Sequence, residues 1–553
     1  MATAKTAAAP KIRAKKSTKK EVGFEETLWD AANKLRGSVE SAEYKHIVLS
    51  LIFLKFISDK FEARRSAILA EYGEEEGLAY VDMVDFYAMD NVFYLPEEAR
   101  WSHIQINAKQ GDIAVKIDSA LHSVEKNNKA LAGALPDNYF SRLGLDASKL
   151  SALIDTINNI ETIANGNEKT EEDLVGRVYE YFLGKFAASE GKGGGEFYTP
   201  KSIVTLIADM IEPFQGKIYD PCCGSGGMFV QSLKFINSHN GNQKNISIYG
   251  QEYTNTTYKL AKMNLAVRGI SGNLGDVAGD SFFKDQHPDL KADYIMANPP
   301  FNQKQWRADN ELVDDSRWAG YPTPPTGNAN YAWIMHMISK LSEHGTAGFV
   351  LANGSMSSNT SGEGVIRQKI IENDLVDCMI ALPGQLFYTT QIPVCLWFIS
   401  KDKKGNNEQG MNKRRDRQGE TLFIDAREMG SMVDRTIKEL TNEDIAHITQ
   451  TYHVWRGEEV TSEATTRHSE LDSEPKYQDI AGYCKSATLA DMKANDYVLT
   501  PGRYVGAAEL EDDGIPFETK MTELSQTLYS QMSQAEELDK AIRQNLEALG
   551  YAE

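Results

Sequence analysis

Apolar residues recur along this chain with two different spacings. From Phe24 the spacing is helical: Phe24, Leu28, Ala31, Ala32 and Leu35 share one face, and Tyr44, Val48, Leu51, Leu54 and Phe61 mark a second, more apolar helix. Further helices are predicted over 113–130 and 150–163, with no strand-turn-strand rhythm between them, so residues 23–168 read as a helical domain. Asn165, Gly166 and Asn167 mark its end, and acids at 171–173 open a helix carrying Leu174, Val178, Tyr181, Phe182 and Phe186. After a glycine-rich stretch at 191–195 and a helix over 202–211, the pattern changes to short apolar strands alternating with helices. The strands are expected at 217–222, 246–252, 292–297, 345–352 and 375–382. Such alternation predicts an α/β fold with a parallel sheet covered on both faces. Two more apolar runs, 394–400 and 421–425, flank a polar loop and are expected as an antiparallel addition at the edge. Beyond residue 430 the chain is irregular and acidic until helical spacing returns through Phe517, Met521, Leu524, Leu528, Ala535, Leu538, Ile542 and Leu549, close to a heptad seam. That stripe packs either on its own domain or on another subunit.

Composition narrows the class. At 553 residues the chain exceeds one core, and 41% hydrophobic with 25% charged residues is ordinary globular usage. The longest apolar run, 47–57, is too short for a bilayer and contains Ser50 and Lys55, so no membrane anchor is expected. Five cysteines, two of them the adjacent Cys222 and Cys223, without a secretory signal, fit a reduced cytoplasmic protein with no zinc spacing. The net charge of −20 opposes a chain that grips DNA alone, because phosphate contacts need positive charge. Residues 1–20 carry seven Lys and Arg and no acid; they read as a disordered basic tail, either solvated or touching DNA.

Chemistry concentrates at three expected strand ends. The strand over 217–222 runs into Asp220, Pro221, Cys222, Cys223, Gly224, Ser225, Gly226 and Gly227, a glycine turn that starts like a dinucleotide fingerprint but has Phe229 at its last position. The second strand ends in Gln251 and Glu252, an acid placed to accept from two ribose hydroxyls. Gly279, Asp280 and Ser281 follow, with Asp280 able to accept from an adenine amine or to cap a helix. Together these suit S-adenosylmethionine better than NAD. The fourth strand stops at Asn298, Pro299, Pro300 and Phe301, because proline donates no ladder hydrogen bond and fixes its own φ. The corner presents an amide, a carbonyl and a ring together; alone, it is as readily a simple strand terminator.

In this order, the Phe197, Tyr198, Thr199, Pro200 run, the glycine turn, Gln251 and Glu252, Gly279 to Ser281, and the Asn298 corner resemble the amino-methylating DNA methyltransferases. More narrowly, the run from Asp173 to Pro200, the helical domain before it and Pro501 to Val505 resemble the modification (M) subunit of type I restriction-modification systems. The resemblance spans nearly the whole chain after the tail. It implies a Rossmann-like, S-adenosylmethionine-dependent methyltransferase sheet with an N-terminal helical domain and a C-terminal helical tail. It places Phe197, Tyr198, Thr199 and Pro200 at the cofactor, Asp220, Gly224 and Gly226 around its methionine part, Glu252 on the ribose and Asp280 at the adenine, with Ser225 and Ser281 also at the cofactor. Cys222 and Cys223 are expected as small buried residues, and no metal is implied. The sequence departs from the family at Asn330, where an acid often precedes Tyr331.

The implied reaction is methyl transfer to the N6 amine of a flipped adenine. Asn298 and the Pro299 carbonyl would bind the amine, and Phe301 would stack on the base. The segment 302–330, with Trp306, Arg307, Arg317 and Trp318, is expected to close over DNA or the flipped base, the other reading being an ordinary floppy insertion. Implied partners are DNA, a specificity (S) subunit, a second M subunit and a restriction (R) subunit. The competing readings are a protein glutamine-N5 methyltransferase, which uses a related motif, and a non-catalytic cofactor-binding scaffold. The expected domains are a basic tail (1–22), the helical domain (23–168), the catalytic domain (169–480) and a C-terminal segment and helix in subunit contact (481–553).

Overall fold

The computed structural model describes residues 41–159, 199–239, 241–387, 390–405, 414–433, 435–458, 476–507 and 517–548, together with Trp29, Asn33, Tyr181 and Phe182. The basic tail, most of the 24–35 and 170–186 helices, the 191–195 glycines, Phe197 and Tyr198 lie outside the described residues.

The helical region is built on α1 (Ser41–Tyr80), whose backbone breaks at Gly73. Every residue from Ile47 to Ser58 is buried, so this apolar run is a core helix, with Lys55 paired to Asp59. Around it pack α2 (Trp101–Asn107), α3 (Ile113–Asn127) and α4 (Ala147–Asn158). In α3 the buried positions Ile113, Ile117, Ala120, Leu121 and Val124 recur at helical spacing, which is why this stretch reads as a helix. The core extends onto Leu260, Met263 and Val267 of the following region, and Lys259 and Lys262 donate to the carbonyls of Leu135 and Ala132 at 2.8 and 2.9 Å.

The sheet has nine strands: β1 (Gly216–Asp220), β2 (Ile246–Gly250), β3 (Gly272–Asn273), β4 (Ala292–Ala297), β5 (Leu341–Ala352), β6 (Val376–Ala381), β7 (Val394–Ser400), β8 (Glu420–Asp425) and β9 (Cys484–Thr488). Their order is β9-β8-β6-β7-β5-β4-β1-β2-β3. β3, β2, β1, β4 and β5 are mutually parallel. Alternate residues feed two cores. Ile218, Met296, Val350 and Phe398 face α5 (Lys201–Ile211), α6 (Gly227–Ser238), α7 (Asn255–Val267) and α10 (Asn442–Arg456); Tyr219, Ile295, Phe349 and Trp397 face α8 (Asn330–Lys340) and α9 (Glu363–Glu372). The result is the expected α/β sandwich of helices on both sheet faces.

Two strand placements differ from the sequence reading. β7 is no edge strand: it runs antiparallel between β5 and β6 and is buried at all seven positions, as a strand covered on both faces must be. β8 pairs parallel with β6, and the antiparallel edge is β9, inside the stretch read as irregular. The compact unit therefore continues through Val505, past the expected boundary at 481. The second unit, Gly506–Glu553, contains α11 (Phe517–Ala548), with Met521, Leu524, Leu528, Met532, Leu538, Ile542 and Leu546 at exposed positions. Among the described residues no helix is long and apolar enough to cross a membrane.

The last turn of α5 is fastened by α10. His453 Nε2 donates to the Asp209 carbonyl at 2.9 Å while Nδ1 meets Glu458, and Arg456 donates to the Met210 carbonyl at 3.1 Å. These are carbonyls that a helix end leaves without intrahelical partners. Burial alone would lower the His453 pKa, but Glu458 and Glu212 outweigh it and raise it to about 9. A histidine pKa raised on folding stabilises fully below its ordinary value and loses that contribution as pH rises through the folded value. Urea unfolding is therefore expected to show wild-type stability falling between about pH 6.5 and 9 by up to ~3 kcal/mol, and this fall is expected to vanish in His453→Gln. An unchanged slope in the variant would show that the clasp does not titrate.

Candidate active site at the carboxyl edge of the sheet

β1 and β4 are neighbours whose connections leave in opposite directions, so the crevice beyond their carboxyl ends is the switch point of the sheet. From β1 the chain turns at Asp220, buried to 1% exposure, whose carboxylate accepts the Cys222 N–H at 3.0 Å. Burial, and then the charge of Glu252, push the Asp220 pKa up to about 7. Gly224 and Gly226 adopt φ of 54° and 80°, a region side chains disfavour, and this aims the turn into α6. A Cβ at Gly224 or Gly227 would meet nothing within 4 Å, so the outer side of the turn is open. Asn264 holds the turn from α7 by donating to the Ser225 carbonyl at 2.7 Å.

Glu252, two residues beyond β2, accepts the Gly224 N–H at 3.0 Å on one oxygen and the Thr254 N–H at 2.8 Å on the other. Its carboxylate is thereby fixed beside the glycine turn. Asp280 accepts the Phe282 N–H at 2.7 Å and so closes a turn; no helix follows it to be capped. Ser281 is buried, and its hydroxyl donates to the Pro221 carbonyl, joining this loop to the first. The residue that shapes the loop is Gln251, to which sequence reasoning gave no role of its own. Fully buried, its amide donates to the Gly279 and Lys284 carbonyls at 3.1 and 2.8 Å and accepts the Gln286 N–H at 3.1 Å. Nothing in the sequence separates it from any other glutamine.

At the end of β4, Asn298 donates through Nδ2 to Thr199 Oγ1 at 2.9 Å. Its Oδ1 is buried and has no hydrogen-bond partner among the described residues. A buried acceptor left unmatched costs about 1–3 kcal/mol, so this atom awaits a donor or carries strain. Pro299 is buried and Phe301 half-buried. Phe301 meets Phe387 edge to face, with centroids 5.6 Å apart and planes at 80°. Phe387 comes from the loop after β6 and was missed; its only signal is an aromatic placed just beyond another strand's carboxyl end. Pro200 caps α5 from the same side as Thr199.

The segment 302–330 turns its large side chains inward. Trp306 and Trp318 are buried, with indole N–H groups on the carbonyls of Pro325 and Leu312 at 2.7 and 2.8 Å. Arg317 pairs with Asp315 and donates to the carbonyls of Ser281 and Phe282 at 3.0 and 2.6 Å, while Arg307 donates to Pro324 at 2.8 Å. The base of the segment is tied by reciprocal bonds between Asn302 and Asn330, 3.1 and 3.0 Å. An acid at 330 could accept there but not donate, so the departure at Asn330 has a local structural use.

Of the cysteine pair, Cys223 is buried as expected and Cys222 half-buried, and desolvation raises both thiols well above their ordinary pKa. Glu212, His453 and Glu458 bring donor atoms within 4.8 Å of one another, but one Glu458 oxygen already faces Arg414 and Arg456 at 2.6 and 2.8 Å. That set is an ion-pair clasp rather than a metal centre.

The model of the N-6 DNA Methylase family matches residues 170–513, and that of the HsdM N-terminal domain matches 24–157. The HindI type I restriction enzyme methylase subunit of Haemophilus influenzae is 47% identical over 474 residues, 83% of this chain and 100% of that one. The MjaIX methylase subunit of Methanocaldococcus jannaschii is 39% identical over 543 residues, 96% and 92% of the two chains. Among solved structures, a type I restriction-modification methyltransferase subunit from Streptococcus thermophilus superposes with a TM-score of 0.67 over 87% of this chain and 99% of its own; at 22% identity it speaks for the fold.

Proposed function

Since the chain belongs to the N-6 DNA methylase family, as a methylase subunit of the type I restriction enzymes, we propose that it methylates the N6 amine of an adenine flipped out of duplex DNA, using S-adenosylmethionine, in the cytoplasm. The observation that carries this reading is the buried, partnerless Asn298 Oδ1 at the switch point. Adenine's amine is a poor nucleophile because its lone pair is delocalised into the ring. Asn298 Oδ1 and the Pro299 carbonyl each accept one amine hydrogen and hold the nitrogen so that its lone pair is drawn out of conjugation with the ring and points at the methyl. Pro300 keeps the corner rigid and Phe301, braced by Phe387, stacks on the base.

The residues fit the cofactor on the open side of the glycine turn and on the fixed orientation of Glu252. Asp220, Gly224 and Gly226 would hold its methionine part, Glu252 its ribose and Asp280 its adenine, with Ser225, Ser281, Phe197, Tyr198 and Pro200 as further cofactor contacts. When bound, the group supplies an electrophilic methyl on a sulfonium.

The net charge of −20 leaves the grip on DNA to partners. We assign that task to a specificity subunit, in a complex with a second copy of this chain and, for cleavage, a restriction subunit. The test is transfer of labelled methyl to DNA by the chain with and without its specificity subunit. Label in N6-methyladenine only with the partner supports the reading; label in protein glutamine, or site-selective methylation by the chain alone, would overturn it.

A further inference from the structure

We infer that Thr199 is a positioning residue that fixes the amide plane of Asn298. The inference rests on the amine-binding role of Asn298 proposed above. The family resemblance puts Thr199 at the cofactor, yet its hydroxyl lies 2.9 Å from Asn298 Nδ2.

The terminal torsion of asparagine is soft, so the side chain alone does not aim its oxygen. Once Oδ1 accepts from a substrate amine, Nδ2 must donate elsewhere, and the Thr199 hydroxyl is the acceptor in reach. Both ends of this bond are unusually fixed. Thr199 precedes Pro200 and Asn298 precedes Pro299, and a residue before proline is confined to extended backbone. Pro200 in turn is the N-cap residue of α5, eight of whose eleven residues are buried, and whose last turn is fastened by His453 and Arg456. The amide that ends β4 is therefore aimed by a different element, the start of α5. Among the described residues no other hydrogen bond holds the Asn298 side chain, so the direction of Oδ1 depends on this one bond.

The test uses the chain assembled with its specificity subunit. Thr199→Val removes the hydroxyl and keeps the shape; Thr199→Ser keeps the hydroxyl. Thr199→Val is expected to lower kcat by ~10–100-fold, the scale of a small misplacement of a reacting group. Its Kd for S-adenosylmethionine, read by titration calorimetry, is expected to stay within about threefold of wild type, and Thr199→Ser to recover kcat to within about threefold. Valine with unchanged kcat, a loss that appears in cofactor Kd, or serine no better than valine would each overturn the inference. Asn298→Ala run in parallel separates the two readings: if it methylates normally, the role of Asn298 fails; if it is inactive while Thr199→Val is active, only the positioning role fails.

Discussion

Asn298→Ala is expected to lower single-turnover methyl transfer by at least ~100–1,000-fold, the usual cost of deleting one preorganised polar contact to a reacting group. Cofactor affinity is expected to be unchanged, because Asn298 sits at the end of β4 while the glycine turn and Glu252 follow β1 and β2. The Pro299 carbonyl remains, so one amine hydrogen is still bound and the residual rate is above background. Stability is expected to move the other way. The wild-type Oδ1 is a buried acceptor without a partner, and alanine removes that penalty, so thermal unfolding of the variant should occur at an equal or higher temperature. A rate within tenfold of wild type would remove Asn298 from the reaction.

Asp377→Ala is expected to do the opposite, costing roughly 3–5 kcal/mol of stability in urea unfolding while the folded fraction keeps its rate. Asp377, on β6, and Arg417 are each 1% exposed and pair at 3.2 Å; Tyr452 of α10 donates to the other carboxylate oxygen at 2.7 Å. Burial pushes this carboxyl up, but Arg417 and then Lys403 hold it below its ordinary value. Alanine would strand a buried guanidinium and a buried phenol together. Asp377→Asn keeps an acceptor for Tyr452 and should cost less. A loss below about 1 kcal/mol for alanine would mean that water or a shifted Lys403 replaces the carboxylate.

What could be read from the sequence was what is encoded locally. The Asn298 corner announced itself because two prolines must end a strand, and the glycine turn because only glycine tolerates those φ values. The order of strands is not local. Val394 to Ser400 was placed at an edge because neighbours in sequence usually pair, although an unbroken apolar run is what a strand buried on both faces requires. β9, Cys-Lys-Ser-Ala-Thr, is short and mostly polar, as edge strands are, and so resembles a loop. Trp306, Trp318, Arg307 and Arg317 looked like a surface for DNA because aromatic and basic residues serve both purposes. Which one they serve depends on carbonyls such as those of Ser281, Phe282 and Pro325, which no pattern displays.

β9 also decides where the chain can be shortened. It pairs along β8 from Glu420 to Ile424, and the middle four residues of β8 are buried. A cut at residue 480 would strip this cover and expose an apolar row of backbone donors and acceptors, a template for sticking to other copies. A cut after Val505 leaves that row sealed and removes α11 alone. Insolubility after the shorter cut would therefore report an unsealed β8, and only the longer remnant can reveal what α11 contributes.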